Sequence, residues 1–354
     1  METGRRIPLN FIQIFPREEG YDKEAIKEGY VDKDFDDQAV EDIVNNPHID
    51  RIQIMRSASQ KTLRKVNEIL IRRPDIQFRV SGQIHFPLPK GWDLSFLSLL
   101  PDTRRLSLDS FSCFDTDLTI LKSLKKLNEL CIYIYEVKDY SFIKDLTSEI
   151  EDLTIHAEMR SGRAKLDFKW LQHLTKLRKL SLGKIDGNLE SISTHENLRD
   201  LTLRGMNKKN LSFLNRMKLE SLTISWCNVD KIDWDTLQGI TTLRSLTLFN
   251  IKKMDDISFV TKLPNLERLE MIWMGAIVRL PDMSALTNLK EVIIDTANRL
   301  EDISGLVGVK NLNTVKILIS KSLTTEAAQV LLSNRSIKRF ICLTNKATID
   351  FTKM

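Results

Sequence analysis

The sequence predicts an α/β repeat fold: about thirteen short parallel strands, each followed by a short helix or 3-10 turn on the opposite side, wound as one right-handed coil. Three observations carry this expectation. Leucine is placed by position, since 49 of the 354 residues are leucine but only Leu9, Leu63, Leu70 and Leu88 fall in the first 90. One hexapeptide pattern, L-x-x-L-x-L, recurs as LNELCI (127–132), IEDLTI (150–155), LRKLSL (177–182), LRDLTL (198–203), LESLTI (219–224), LRSLTL (243–248), LERLEM (266–271), LKEVII (289–294), LNTVKI (312–317) and IKRFIC (337–342). The starts of these copies lie 23, 27, 21, 21, 24, 23, 23, 23 and 25 residues apart, a period that defines one strand-plus-turn unit stacked on its neighbours.

Taken in chain order, the elements follow from local chemistry. Residues 17–46 carry eleven acidic and four basic side chains, so an acidic leader precedes a basic body. Within it, Ala39, Val40 and Ile43 mark a short amphipathic helix, and residues 1–46 are expected to cap the open end of the first repeat or to dock on basic surface. Weak copies of the hexapeptide follow at IDRIQI (49–54), RPDIQF (73–78) and TRRLSL (103–108). Between the first two, KTLRKVNEILIRRP (61–74) puts Leu63, Val66, Ile69 and Leu70 on one face of a helix. Farther on, a second block follows the strands: DLSFLSLL, DLTILKSL, DYSFIKDL, NLSFLNRM, DISFVTKL and DISGLVGV. Asp or Asn leads each of these blocks, and apolar residues follow at helical spacing, as suits one capped turn. The repeats are expected over residues 47–345, with a tail at 346–354.

With these residues in place, the chain resembles the leucine-rich repeat proteins, and its D-[IL]-S-F-[LV]-x-x-L block with repeats of 21 to 25 residues is similar to the bacterial internalin type. The resemblance covers roughly residues 90–345. It implies strands on a concave face and short helices or 3-10 turns on a convex one. In one respect the chain departs from that pattern. The third residue after L-x-L, Asn in most such proteins, is here Phe111, Tyr135, Glu158, Ile185, Met206, Cys227, Ile251, Met274, Ala297, Ser320 and Asn345. Most copies therefore place an apolar plug where an amide ladder would run, and backbone polar groups must be satisfied elsewhere.

Little in the sequence points to chemistry. The four cysteines, Cys113, Cys131, Cys227 and Cys342, form no C-x-x-C and read as reduced thiols of a cytosolic protein. The five histidines show no H-x-x-x-H spacing, so neither a metal nor a cofactor is expected. His156 stands at an outward position one repeat from Cys131, offset along the strands. No glycine cluster could cradle a phosphate. No apolar run approaches a membrane span, and the start METGRRIPLNFIQIF lacks a secretory cleavage pattern. A cytoplasmic, non-enzymatic monomer is expected, with no membrane partner and no small-molecule substrate.

A binding surface must then lie between the leucines. Thirteen strands at about 4.8 Å each span on the order of 60 Å, a length suited to another protein. Outward residues occupy positions 3, 5, 7 and 8 of L-x-x-L-x-L-x-x. Trp226, Phe249, Ile272 and Trp273 fall on three consecutive repeats, with Arg204, Arg244, Arg268, Glu270 and Asp295 around them and Tyr133 farther back. An aromatic cluster with an arginine rim is the composition of a protein-binding hot spot. Position 8 lies at the strand end, so Trp226 and Trp273 either face outward or turn into the core. Position 3 alternates in sign, from Arg105 and Glu129 to Arg268 and Glu291, as in a ladder of cross-strand pairs. The basic residues (Lys61, Arg64, Lys65, Arg72 and Arg73; Lys208 and Lys209; Lys252 and Lys253) occupy different parts of the coil, which disfavours nucleic acid. The expected role is that of a cytosolic adaptor or immunity-type inhibitor; the alternative is an exported, internalin-like adhesion protein.

Overall fold

The computed structural model describes residues 11–15, 29–55, 57–82, 92–110, 116–157, 164–184, 188–344 and 348–352. The chain divides into two compact units, Met1–Leu177 and Arg178–Met354. In the first, the elements are β1 (Phe11–Phe15), β2 (Gly29–Val31), α1 (Asp37–Val44), β3 (Arg51–Met55), α2 (Gln60–Arg72), β4 (Gln77–Ser81), β5 (Arg105–Ser110), β6 (Glu129–Ile134) and β7 (Asp152–His156). Its strands pair in parallel in the order β2-β1-β3-β4-β5-β6-β7. The second unit holds β8 (Lys179–Gly183), β9 (Asp200–Arg204), β10 (Ser221–Ser225), β11 (Ser245–Phe249), β12 (Arg268–Ile272), β13 (Glu291–Asp295), β14 (Thr314–Ser320), α3 (Thr325–Gln329), β15 (Arg339–Thr344) and β16 (Thr348–Thr352). Strands β8 to β15 run parallel in sequence order, and β16 returns antiparallel to β15. The fold is a leucine-rich repeat solenoid, in which β3 to β15 are the repeat strands.

Register explains why the leucines specify it. In β10 and β11 the pairs Leu222↔Leu246 and Ile224↔Leu248 are in step, as are Leu246↔Leu269 and Leu248↔Met271 in β11 and β12. All six side chains are fully or almost fully buried. Equal positions of successive repeats therefore stack, and each leucine removed from water contributes about 1.5–3 kcal/mol. A slip of one residue would put the whole set on the wrong face.

Opposite the strands, the expected second blocks are 3-10 turns at Ser95–Leu99, Thr119–Ser123, Ser141–Asp145, Ser212–Arg216, Ser258–Lys262 and Ser304–Leu306. Each is started by the leading Asp or Asn, whose side-chain oxygen accepts from the N–H two residues on at 2.8–2.9 Å. These acids act as caps. The apolar plug is present too: Met206, Cys227, Ile251, Met274 and Ala297 are buried, whereas Phe111, Glu158, Ile185 and Asn345 lie outside the described residues. Backbone groups are met by amides at another place, just before the strands. Asn265, Asn288 and Asn311 donate to the carbonyls of Thr241, Pro264 and Thr287 in the preceding repeats at 2.7, 3.0 and 2.7 Å. Ser320 keeps a polar plug, donating to Ala297 and Leu300 carbonyls at 3.1 Å each.

The described end of the acidic leader, residues 29–46, packs its helix α1 onto the basic helix α2 that follows it. Ala39, Val40 and Ile43 are the buried face of α1, and Leu63, Val66, Ile69 and Leu70 that of α2. Asp37 pairs with Lys65, and Glu41 takes a two-pronged bond from Arg72 at 2.6 and 2.9 Å. Buried Asp32 accepts from the Ser59 backbone and hydroxyl at the start of α2. In addition β1 lengthens the sheet, with Ile12 and Ile14 in register with Ile52 and Ile54. Residues 348–352, expected within a tail, supply β16 instead, which pairs along one edge of β15.

The caps make the fold acid-sensitive in a defined way. Asp93, Asp117, Asp139 and Asp282, the last accepting from the Ser284 N–H at 2.9 Å in the same way, are held below the ordinary 3.8 chiefly by the backbone N–H they accept, and Asp302 chiefly by the Ser304 hydroxyl. A carboxylate lowered by folding contributes stability that is present above its unfolded value and lost as pH falls through its folded one. Asn210 performs the same capping without a titrating group. Replacing the five acids with Asn should thus leave urea stability at pH 7 nearly unchanged and flatten its decline below about pH 4; an unchanged decline would assign the acid sensitivity to other groups.

Candidate functional site

The decisive local feature is the residue that follows each of strands β8 to β13. Lys184, Gly205, Trp226, Asn250, Trp273 and Thr296 occupy position 8 of six successive repeats, and all have positive φ, between 50° and 64°. Five of their N–H groups donate to the last carbonyl of the next strand: Lys184 to Arg204, Gly205 to Ser225, Trp226 to Phe249, Asn250 to Ile272 and Trp273 to Asp295, at 2.7–2.9 Å. The ladder is thereby carried one residue past the strand, and the left-handed turn then throws position 9 inward as the plug. Position 8 is left pointing out. Trp226 and Trp273 are accordingly 41 % and 49 % exposed, which resolves their direction.

Gly and Asn adopt this conformation readily, whereas a side chain such as Trp incurs about 1–2 kcal/mol. Two tryptophans are held there, on either side of Asn250. Their rings meet over Phe249, the position-7 residue of the strand between them. Centroids lie 5.4 Å apart for Trp226 and Phe249, 5.3 Å for Phe249 and Trp273, and 5.9 Å for the two tryptophans. All three pairs are edge-to-face, the arrangement favoured by ring quadrupoles and worth about 0.5–1.5 kcal/mol per pair beyond area.

Charge flanks the triad on both sides. Arg204, at position 7 of β9, lies over the Trp226 ring with its guanidinium carbon 5.5 Å from the centroid. On the far side the register pairs Phe249 with Ile272 and Ile272 with Asp295. The row thus reads Arg204, Trp226, Phe249, Trp273 with Ile272, Asp295. Arg268 and Glu270 lie farther back along β12 and are engaged there: Arg268 pairs with Glu291 and lies 3.5 Å from Glu270, and Lys316 reaches Glu291 at 3.4 Å. At position 3, Arg268–Glu291 in this unit and Arg105–Glu129 in the first are cross-strand pairs of the kind the signs implied, while Glu270 and Lys316 join from position 5. Arg244 is set apart in a second ladder at position 2, bonded to Glu267 at 2.7 Å.

Tyr133 belongs to the first unit, at the end of β6. Its ring packs edge-on against His156 at 4.4 Å, and His156, expected outward, is buried under it at 8 % exposure. Burial pushes the Cys131 thiol up to about 12, and those of Cys227 and Cys342 to about 12 and 11. Such thiols stay protonated and unreactive near neutral pH; Cys113 lies outside the described residues. Apolar side chains left out of the expected site continue on the later repeats: Ile319, at position 8 of β14, is 49 % exposed, and Leu343, at position 7 of β15, 37 %. The positional rule that singled out the tryptophans contains both.

No family model matches the chain, and no curated protein matches it. Among solved structures it is similar to an internalin from Listeria monocytogenes, at 19 % identity over 87 % of this chain and 88 % of that one, with a TM-score of 0.49. A leucine-rich repeat protein from Leptospira interrogans matches at 14 % identity over 84 % and 90 %, TM-score 0.43. A plant peptide hormone receptor solved in complex with RGF2 matches at 15 % over 81 % of this chain and 52 % of that chain, TM-score 0.42.

If the tryptophans are presented outward at a backbone cost, Asn should replace either with little loss of stability. Trp273→Asn is expected to change urea stability by less than about 1 kcal/mol, since strain relief offsets lost ring packing. Leu269→Ala, on the buried face of the same strand, should cost about 2–5 kcal/mol. Equal losses would show that Trp273 supports the fold.

Proposed function

We propose that the chain is a non-catalytic protein-binding module whose recognition surface is the outward row of the second unit, centred on Trp226, Phe249 and Trp273. The observation that carries this is the triad itself. Three large rings, two of them in a conformation that Gly or Asn would adopt with less strain, are grouped on an exposed sheet face. Exposed aromatic groups of this kind, rimmed by charge, are where binding energy concentrates at protein interfaces. The row is also rigid, because five of the six position-8 N–H groups, those of both tryptophans included, are bonded to the next strand, so little ordering entropy is lost on association.

Within that reading we place the protein in the cytosol, as an adaptor or as an inhibitor that covers its partner. Three cysteines on separate repeats, Cys131, Cys227 and Cys342, are unpaired thiols, which supports a reducing setting. The Arg268–Glu291–Lys316 ladder, farther back along β12, β13 and β14, supports a specificity-setting rim, since such charges bias encounter and register more than affinity.

Affinity capture from native extract with wild type and the Phe249→Ala/Trp273→Ala double variant tests the proposal. Wild type is expected to retain a partner that the variant loses by at least ten-fold, with the circular dichroism spectrum and melting cooperativity unchanged. Equal retention by both proteins would exclude the aromatic row as the binding surface.

A further inference from the structure

The row is chemically directional, and this allows one step beyond the proposed binding role, on which it rests. Trp226 and Trp273 occupy the same position two repeats apart and share Phe249 between them, yet their other neighbours differ. Trp226 has a guanidinium at its side, Arg204 at 5.5 Å. Trp273 instead neighbours an acidic residue: its backbone N–H is bonded to the main-chain carbonyl of Asp295 at 2.8 Å, and Asp295, at position 7 of the adjoining strand, stands in register with Ile272 on the outward face. Thr296, itself in the left-handed conformation, donates its hydroxyl to Asp295 Oδ1 at 2.8 Å. The carboxylate is therefore held in place. Among the described residues no Lys or Arg forms an ion pair with it, in contrast to the neighbouring Glu291, which takes both Arg268 and Lys316.

We infer that Trp273 and Asp295 together form a receptor for an arginine side chain of the partner protein, the guanidinium lying over the exposed indole while it pairs with the free oxygen of Asp295. The molecule supplies the geometry of the first half within itself, where Arg204 lies over Trp226. Arginine fits better than lysine because its planar, weakly hydrated head can stack on a ring and direct N–H donors at a carboxylate at once. Neither contact is large on an exposed face, and each contributes a few-fold in affinity; their coincidence at one end of the triad fixes which way a partner lies across it.

The test uses the full chain and three small probes, Nα-acetylarginine amide, Nα-acetyllysine amide and Nα-acetylcitrulline amide, the last isosteric with arginine but neutral. The indole N–H resonances are followed by NMR during titration and assigned with Trp226→Asn and Trp273→Asn. The arginine probe is expected to shift the Trp273 signal several-fold more than the Trp226 signal, whose ring already has Arg204 over it. The citrulline probe should leave both unmoved, and the lysine probe should bind two- to five-fold more weakly. Asp295→Asn should weaken the arginine probe two- to five-fold. Equal responses to arginine and citrulline, equal shifts of the two indoles, or an unchanged titration in Asp295→Asn would each overturn the inference. Should Asp295→Asn also retain a captured partner that the Phe249→Ala/Trp273→Ala variant loses, the binding surface stands and only the arginine receptor fails.

Discussion

The left-handed residue at the strand exit is the constraint on which the rest of the second unit depends. It extends the ladder by one bond, ends the strand, and sorts the next two side chains: position 8 outward, position 9 into the core. Because the same turn recurs from Lys184 to Thr296, one backbone device builds both the apolar plug, from Met206 to Ala297, and the exposed row that includes the tryptophans. From β8 to β13, core and recognition surface are two consequences of a single dihedral choice repeated at each strand exit.

Seen this way, the residues at position 8 divide by what they cost. Gly205 and Asn250 meet the conformational demand without strain. Lys184, Trp226, Trp273 and Thr296 meet it against steric preference, and three of these four have side chains that contribute to the outward row, two as rings and one by holding Asp295. Strain of this kind persists only where the surrounding structure over-determines it, and here the cross-strand N–H bonds and the stacked leucines do so. The functional reading therefore leans on the coincidence of backbone cost with exposed aromatic surface.

Much of the fold was legible in the sequence because the leucines obey one rule. Alternation assigned the strands, the Asp-led blocks assigned the capped turns, and α1 and α2 were visible in Ala39, Val40 and Ile43 and in Leu63, Val66, Ile69 and Leu70. β1 escaped notice because FIQIF lacks the hexapeptide and is recognised only by its register with Ile52 and Ile54. β16 was missed because a lone antiparallel return carries no repeat signature. At the site, strand alternation directed Phe249 outward, but it says nothing about a residue just past the strand end. The direction of Trp226 and Trp273 was nonetheless written in the column they share with Gly205 and Asn250, the two residue types that best tolerate positive φ. His156 was misjudged because alternation does not reveal that the ring of Tyr133 covers it.

The central claim is that the position-7 and position-8 row of the second unit, and no other face, meets the partner. Hydroxyl-radical footprinting of the complex isolated from cells, compared with the free chain, addresses it residue by residue. The account predicts strong protection of Trp226, Phe249, Ile272 and Trp273, with the exposed Ile71 and Leu332, which lie off the strands, labelled as in the free protein. Unchanged labelling of the two tryptophans in a complex that protects another surface would contradict it.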